Sequence, residues 1–310
     1  MPMTLEQHQP KKIIILSRDE MKQWSMAQHY KDESRLRFFI GDVRERERLY
    51  RAFDGVDVVV HAAATKIVPT AEYDPFEAVK TNVLGAMNVI DAAIDTGVER
   101  VVALSTDKAS SPINLYGATK MASDKLFIAA NNYSGAKKTR FSVVRYGNVM
   151  GSRGSVIPFF LSLPQGAKLP ITDPAMTRFM ITLEEGVGLV WTALSEAIGG
   201  EIFVRKIPSM NIMDIASAVR PDLETEVVGI RPGEKLHEQM IGIEDSPFTF
   251  DFGDHFRITP SIAMEKFSTP SLVERVHESF VYASDSNQEW MTQEELADWV
   301  ESNRERIGNY

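Results

Sequence analysis

The sequence predicts an α/β protein built on a doubly wound parallel sheet. Short apolar runs recur along the first half of the chain, at Ile13–Leu16, Phe38–Ile40, Val56–His61, Val101–Ser105 and Phe141–Arg145, and read as buried strands. Helix-length amphipathic stretches separate them, and such β–α alternation gives a parallel sheet with crossover helices. Polar residues gather directly after one run, at Ser105-Thr106-Asp107-Lys108. Open α/β sheets carry their functional groups at that place, past the carboxyl ends of strands.

Taken in order, residues 1–11 read as a poor strand, with two prolines and few β-branched residues. Pro75–Ile94 reads as one helix, with Asp74 as N-cap, Pro75 in the first turn and Val79, Val83, Met87 and Ile90 on a shared face. From about Gly151 the pattern loses regularity and gains Pro and Gly, which divides the chain into regions 1–150 and 151–310. The closing helix is expected over Gln293–Arg306, with Thr292 as N-cap and Glu295 completing a capping box. No internal repeat or low-complexity segment interrupts this plan.

Composition bounds the function. The 310 residues are 44% hydrophobic and 25% charged, values of a soluble globular protein. The absence of cysteine excludes disulfides and Cys-ligated metal, and no metal site is expected. No apolar run approaches the ~20 residues that span a bilayer, and no signal peptide is visible, so the expected place is the cytoplasm, with no membrane partner. A net charge of −9 argues against nucleic acid, and an anionic ligand would need local basic residues.

The sharpest chemical signal is Tyr116-Gly-Ala-Thr-Lys120. Residues four apart on a helix share a face. An ammonium beside a phenol favours phenolate and would lower the Tyr116 pKa from about 10, making a base for an alcohol proton. Asp107 and Lys108, directly past the 101–104 run, add an acid and an amine. A helix-surface Tyr/Lys pair with a capping Asp is the bland alternative.

The segments SRDE (17–20), RFFIGDVR (37–44), HAAATKIVP (61–69), KTNVLGAMNVI (80–90), STDKASSPINLYGATK (105–120), RYGNVMGSRGSVIPFF (145–160), MTRFMIT (176–182), GGEIFV (199–204) and GIRPGEKLHE (229–238), in this order and spacing, resemble the extended short-chain dehydrogenase/reductases that act on nucleotide sugars. More narrowly they resemble the short, soluble, inverting UDP-N-acetylglucosamine 4,6-dehydratases, from about Lys12 to Trp299. The resemblance implies a Rossmann-like NADP-binding domain over 1–150. Residues 151–310 would be mainly substrate-binding, with some segments returning to the first domain. One departure stands out. The family's first strand, glycine-rich turn and first helix have no counterpart before SRDE, so the first βα unit is missing and the sheet is expected to have a gap. The expected origin is a gene start placed too far downstream. A real truncation that binds cofactor poorly, and residues 1–11 filling part of the gap, are the alternatives.

What the resemblance implies can be placed residue by residue. Asp107 would protonate the departing C6 hydroxyl, Lys108 would be the base at C5, and Tyr116 with Lys120 would handle the C4 hydroxyl proton. Related dehydratases that retain configuration carry Glu at the position of Lys108. Arg18, past the first strand, suits the 2′-phosphate of NADP rather than the ribose of NAD. Asp42 would meet the adenine and Val43 pack beside it. Ala62 and Ala63 would let the backbone pass close to the cofactor, Lys66 would meet a phosphate, and Tyr146 would join the cofactor site. Thr106, Asn148, Thr172, Arg178 and Arg231 would hold the UDP-sugar, the arginines as planar forks on the diphosphate. His61 reads as a buried structural histidine.

The implied activity is NADP-dependent inverting 4,6-dehydration of UDP-N-acetylglucosamine for bacterial surface glycans, by a homo-oligomer. Two alternatives are another UDP-sugar epimerase or dehydratase, and an inactive truncated paralogue that binds nucleotide sugar.

Overall fold

The structure, a computed structural model, describes residues 2–261 and 273–308. The chain opens with a short helix, α1 (Pro2–Gln7), and then alternates as β1 (Ile13–Ser17), α2 (Glu20–His29), β2 (Leu36–Ile40), α3 (Arg46–Phe53) and β3 (Val58–His61). Two short helices, α4 (Val68–Tyr73) and α5 (Pro75–Val79), lead through a π-turn at Lys80–Leu84 into α6 (Gly85–Thr96). β4 (Arg100–Leu104), α7 (Leu115–Tyr133) and β5 (Arg140–Arg145) complete the regular alternation.

The second half is less regular, with β6 (Asn148–Val149), α8 (Val156–Ser162), β7 (Leu169–Ile171), β8 (Thr177–Ile181) and α9 (Leu183–Glu196). It continues through β9 (Ile202–Arg205), β10 (Ser209–Asn211), α10 (Ile212–Val219), β11 (Thr225–Val227) and β12 (Gln239–Ile241). β13 (Thr249–Asp251), β14 (His255–Ile258), β15 (Glu274–Arg275), β16 (Tyr282–Ala283) and α11 (Gln293–Ser302) finish the chain.

The main sheet has seven strands in the order β15-β13-β14-β9-β5-β4-β3. β3, β4 and β5 are mutually parallel, as the sequence predicts, and β9, which lies outside the predicted runs, joins them in parallel. β14, β13 and β15 add antiparallel strands on the far side. The reason is local: β13 and β14 are joined through Gly253 at φ +90°, and a turn this tight joins only antiparallel strands.

Among the described residues, β1 and β2 pair only with each other, as a separate two-stranded parallel sheet. The interruption implied by the resemblance therefore lies between β1 and β3. β3 is an edge strand whose Val58 and Val60 are 41% and 46% exposed, against full burial of Val101 in its neighbour. Residues 2–7 are helical rather than a poor strand. Leu5 is buried, its carbonyl accepts from Arg35 Nη1 at 3.2 Å, and His8 stacks on Trp191 of α9 at 3.4 Å between ring centroids.

Alternation along the strands splits the core across the sheet. Val59, Val101, Ala103, Phe141 and Val143 pack with Leu49, Val89, Ala93 and Phe127 from α3, α6 and α7. Val102, Val144 and Phe203 pack with Leu189, Ala193 and Leu194 of α9. A second core gathers Phe160, Leu169, Met176, Met180, Met210, Ile215, Leu296 and Val300 under the later helices.

The segment expected as one helix over Pro75–Ile94 is helical without a break to Thr96, with the π-turn at Lys80–Leu84 inside it. Of its expected face, Ile90 is buried, Val79 and Val83 are half-buried and Met87 is exposed, while Ala78, Thr81, Asn82, Gly85, Ala86 and Val89 are buried beside them. The extra residue of the π-turn rotates the helix, and small residues let it pack close. Pro75 stands in the first turn as expected, but Asp74 makes no capping bond through its side chain. Thr292 and Glu295 form the expected capping box on α11.

Candidate active site

The site is built where β4 leaves the sheet. Ser105 N donates to Val144 O at 2.7 Å and Asp107 N to Tyr146 O at 3.3 Å, so the exits of β4 and β5 are pinned together. Residues Asp107–Ala109 form a 3₁₀ turn whose N-cap is Thr106. The Thr106 hydroxyl donates to Asp107 Oδ1 at 2.8 Å. Asn114 caps the N-terminus of α7; its Oδ1 accepts from Gly117 N at 2.7 Å and its Nδ2 donates to Gly233 O at 2.7 Å. The Arg231-Pro232-Gly233 turn, with Gly233 at φ +76°, is thereby fastened to the helix that carries Tyr116. Lys235 Nζ adds a second tie, donating to Ser110 O at 2.7 Å.

Lys108 is the electrostatic centre. Its Nζ lies 3.0 Å from Asp107 Oδ1 and 3.2 Å from Glu238 Oε1, and its side chain keeps 25% exposure. Asp107 and Glu238 are both buried, each with one carboxyl oxygen (Oδ2, Oε2) that has no partner. Burial alone would lower the Lys108 pKa; Asp107 and then Glu238 override it and hold the amine well above its ordinary range, as the ammonium. Arg178 Nε stands 4.0 Å from Glu238 Oε1. The Arg178 guanidinium also donates to Thr177 O at 2.7 Å, Leu236 O at 3.1 Å and Glu234 Oε1 at 3.4 Å, so this predicted diphosphate fork is largely committed inside the protein.

The expectation that Lys120 lowers the Tyr116 pKa is corrected. Burial dominates and pushes Tyr116 up to about 12, and the groups that pull it back are Lys108 and the Thr106 hydroxyl. Lys120 is buried, makes no hydrogen bond or ion pair among the described residues, and is itself pushed down by burial against the opposing charge of Asp124. Asp124 accepts from Ser105 Oγ at 2.7 Å and pairs with Arg145 at 3.4 Å. His61 is buried and held neutral, pushed down to about 3 by burial and by Lys120. That agrees with its reading as a structural residue.

Asn148 Oδ1 is buried without a partner, and Tyr146 is pushed up to about 12 by burial. Arg18, 62% exposed, lies 3.6 Å from Asp42, which also pairs with Arg44 at 2.7 Å. Val43 O accepts from Asn88 Nδ2 at 3.0 Å. Ala62, Ala63 and Lys66 are exposed just past β3, and Arg231 is exposed. Thr172 follows β7 and its hydroxyl donates to Met176 Sδ at 3.3 Å. Among the described residues no group of three or more His, Asp or Glu could hold a metal, and no helix is long and apolar enough to cross a membrane.

Sequence reasoning missed Glu238, Asp124, Arg145 and Asn82. Glu238 closes the GIRPGEKLHE segment, yet no local pattern reveals that it meets Lys108 from 130 positions away. Asn82 sits in the π-turn, where its side chain binds Thr65 N at 2.8 Å, Thr65 O at 2.9 Å and Thr119 Oγ1 at 2.9 Å. It joins the loop after β3 to α7, and the π-turn that places it gives no sequence signal.

Comparison with known proteins places this arrangement. Residues 2–260 match a family described as "Polysaccharide biosynthesis protein". A Campylobacter jejuni protein named UDP-N-acetylglucosamine 4,6-dehydratase (inverting) is 54% identical over 305 residues, covering 96% of this chain and 91% of that protein. A Rickettsia canadensis protein named UDP-glucose 4-epimerase is 46% identical over 253 residues, covering 80% and 74%. The crystal structure of Pen from Bacillus thuringiensis superposes with a TM-score of 0.87 at 36% identity, covering 96% of this chain and 91% of that one.

Proposed function

The chain belongs to the polysaccharide biosynthesis protein family, among extended short-chain dehydrogenase/reductases related to the inverting UDP-N-acetylglucosamine 4,6-dehydratases, and from that premise we propose that it is a lyase carrying out this 4,6-dehydration. The observation that carries the reading is the contact of Asp107 with Lys108 past β4, in the same site as Tyr116. An acid and a base at one point are what removal of water across C5 and C6 requires, and a simple 4-epimerisation needs neither.

The reading includes a nicotinamide dinucleotide, with NADP preferred through Arg18. Lys120, a buried amine with no hydrogen bond or ion pair among the described residues, and the exposed alanines past β3 suit its nicotinamide-ribose end; Asp42, Val43, Lys66 and Tyr146 are the further cofactor residues of this reading. When bound, this group supplies reversible hydride acceptance, from C4 and back to C6. The substrate side comprises Thr106, Asn148, Thr172 and Arg231, drawn from both 1–150 and 151–310, while Arg178 is held by Thr177 O, Leu236 O and Glu234 beside Glu238.

The protein's own groups do the proton work. Tyr116, pushed up to about 12, stands as the phenol at neutral pH. It takes the O4 proton onto its oxygen as its own proton passes out to solvent, so the phenol is regenerated, with Lys108 and the Thr106 hydroxyl beside it. A 4-ketone then acidifies the C5 proton. One proton shift within the 3.0 Å contact, from Lys108 Nζ to Asp107 Oδ1, arms both partners, giving an amine and a carboxylic acid. The amine takes the C5 proton and the acid protonates the departing O6. Water leaves, and the pair is again ammonium and carboxylate.

The setting we propose is cytoplasmic, in bacterial surface glycan synthesis, with the chain as a homo-oligomer. Tyr73, Phe76, Leu84 and Met87, exposed on α4, α5, the π-turn and α6, would be covered by a second copy. The test of function is product analysis with UDP-N-acetylglucosamine. A UDP-4-keto-6-deoxy sugar inverted at C5 supports the reading, and interconversion at C4 alone would replace it with epimerisation.

A further inference from the structure

We propose that Glu238 is a positioning residue of the proton-handling set, the fixed anion that Lys108 faces whenever it carries a proton. This rests on the reading of Lys108 as the C5 base. Glu238 reaches Lys108 from a different element than Asp107, on the segment leading into β12, and its Oε1 lies 3.2 Å from Lys108 Nζ. Its placement is fixed by backbone bonds: Glu238 N donates to Ser284 Oγ at 2.9 Å and Ser284 N donates to Glu238 O at 2.8 Å. Ser284 Oγ is in turn 2.7 Å from Thr177 Oγ1, which lies 2.8 Å from His237 Nδ1. A carboxylate this buried, with one oxygen unpartnered, is retained against a large desolvation penalty. Its neighbours are the two cations Lys108 and Arg178.

The groups facing Lys108 are Asp107 on its own turn, Glu238 beside β12, Arg178 from β8, Tyr116 from α7 and Lys235 from the 229–238 segment. Two carboxylates therefore oppose Arg178 and Lys235. When the proton moves from Nζ to Asp107 Oδ1, the N–H bond breaks and an O–H bond forms, and Glu238 remains the anion. When the amine takes the C5 proton, the new ammonium lies against that anion. Glu238 thus raises the affinity of the amine for the C5 proton without touching the sugar. The upward displacement of the Lys108 pKa by Glu238, second only to that by Asp107 among the charges, agrees with this role.

The experiment compares wild type, Glu238→Gln and Glu238→Asp by competitive acetylation with isotopically paired acetic anhydride, reading the Lys108 peptide by mass spectrometry between pH 8 and 10. Only the neutral amine reacts. Glu238→Gln is expected to raise Lys108 labelling at fixed pH at least tenfold, the change produced by about one unit of lost pKa. Glu238→Asp, with the carboxylate withdrawn by one methylene, should fall in between. Unchanged labelling in Glu238→Gln overturns the proposal. If that variant does not fold, Glu238→Asp decides: intermediate labelling supports the proposal and wild-type labelling overturns it. A parallel assay follows deuterium entry at C5 of a UDP-4-keto-6-deoxy amino sugar in deuterium oxide, a reaction that needs no hydride transfer. Its alkaline limb should move to lower pH in Glu238→Gln. If labelling shifts as expected but the wild type exchanges no C5 proton, the hold of Glu238 on Lys108 stands and the dehydratase reading fails.

Discussion

Gly117 packs against the carbonyl oxygen of Lys108 so closely that a Cβ on residue 117 would lie 2.2 Å from it. The glycine inside the Tyr116–Lys120 motif is therefore a spacing device, seating the Asp107–Ala109 turn on the first turn of α7. Gly117→Ala should push that turn away from Tyr116. Overpacking of this kind costs about 1–3 kcal/mol of stability. Activity should fall further, by roughly 100-fold, because a displacement of about 1 Å in a reacting group has that effect. Turnover and thermal melts of the variant check this, and a fully active variant would show that the turn yields freely.

Arg18 should distinguish the two nicotinamide dinucleotides. It is exposed past β1 and its nearest anion, Asp42, is 3.6 Å away, so its guanidinium can turn to a phosphate. Arg18→Ala should weaken NADP binding by about 1.5–3 kcal/mol, the range for hydrogen bonds to a charged group. NAD binding should barely change. Calorimetry with both cofactors is the measurement, and equal losses would show that Arg18 does not read the 2′-phosphate.

His61 should make the fold acid-sensitive. Its pKa is depressed to about 3 in the folded chain, below the ordinary value of 6.5. The unfolded chain therefore binds the proton more readily. The stabilisation is fully present above pH 6.5 and is lost as pH falls from there towards 3, with a slope approaching about 1.4 kcal/mol per pH unit. His61→Leu should flatten the dependence of melting temperature on pH between 7 and 5. Equal slopes for the two proteins would contradict this.

The parallel half of the fold was legible because each strand is a short apolar run and each strand exit carries its polar residues in sequence. Asp107, Lys108 and Tyr116 were legible for the same reason, since one turn and one helix start hold them together. What escaped was produced by contacts between distant segments. The pairing of Glu238 with Lys108 depends on a loop folding back across the β4 exit. The high pKa of Tyr116 depends on burial, whereas the four-residue spacing to Lys120 suggested the opposite sign. The exposure of Met87 on α6 follows from the π-turn, which adds one residue that helical periodicity does not foresee.

The isolation of the β1–β2 pair from β3 has a direct consequence in solution. Alternate amides of Val58–His61 point away from β4 and have no ladder partner among the described residues, and the strand's outer valines are exposed. Hydrogen exchange followed by NMR should find those amides exchanging at least 100-fold faster than the amides of β4, which is paired on both sides. Uniform protection across β3 and β4 would mean that the open edge is covered in solution.

The central claim is that Lys108 removes the C5 proton. Wild type and Lys108→Ala, each with bound cofactor, are incubated with UDP-N-acetylglucosamine in deuterium oxide, and deuterium at C5 is read by NMR alongside cofactor reduction at 340 nm. The account predicts that the variant keeps its fold and its oxidation at C4 but loses C5 deuteration and dehydration by at least 100-fold. Deuterium entering at C5 in Lys108→Ala at the wild-type rate would contradict it.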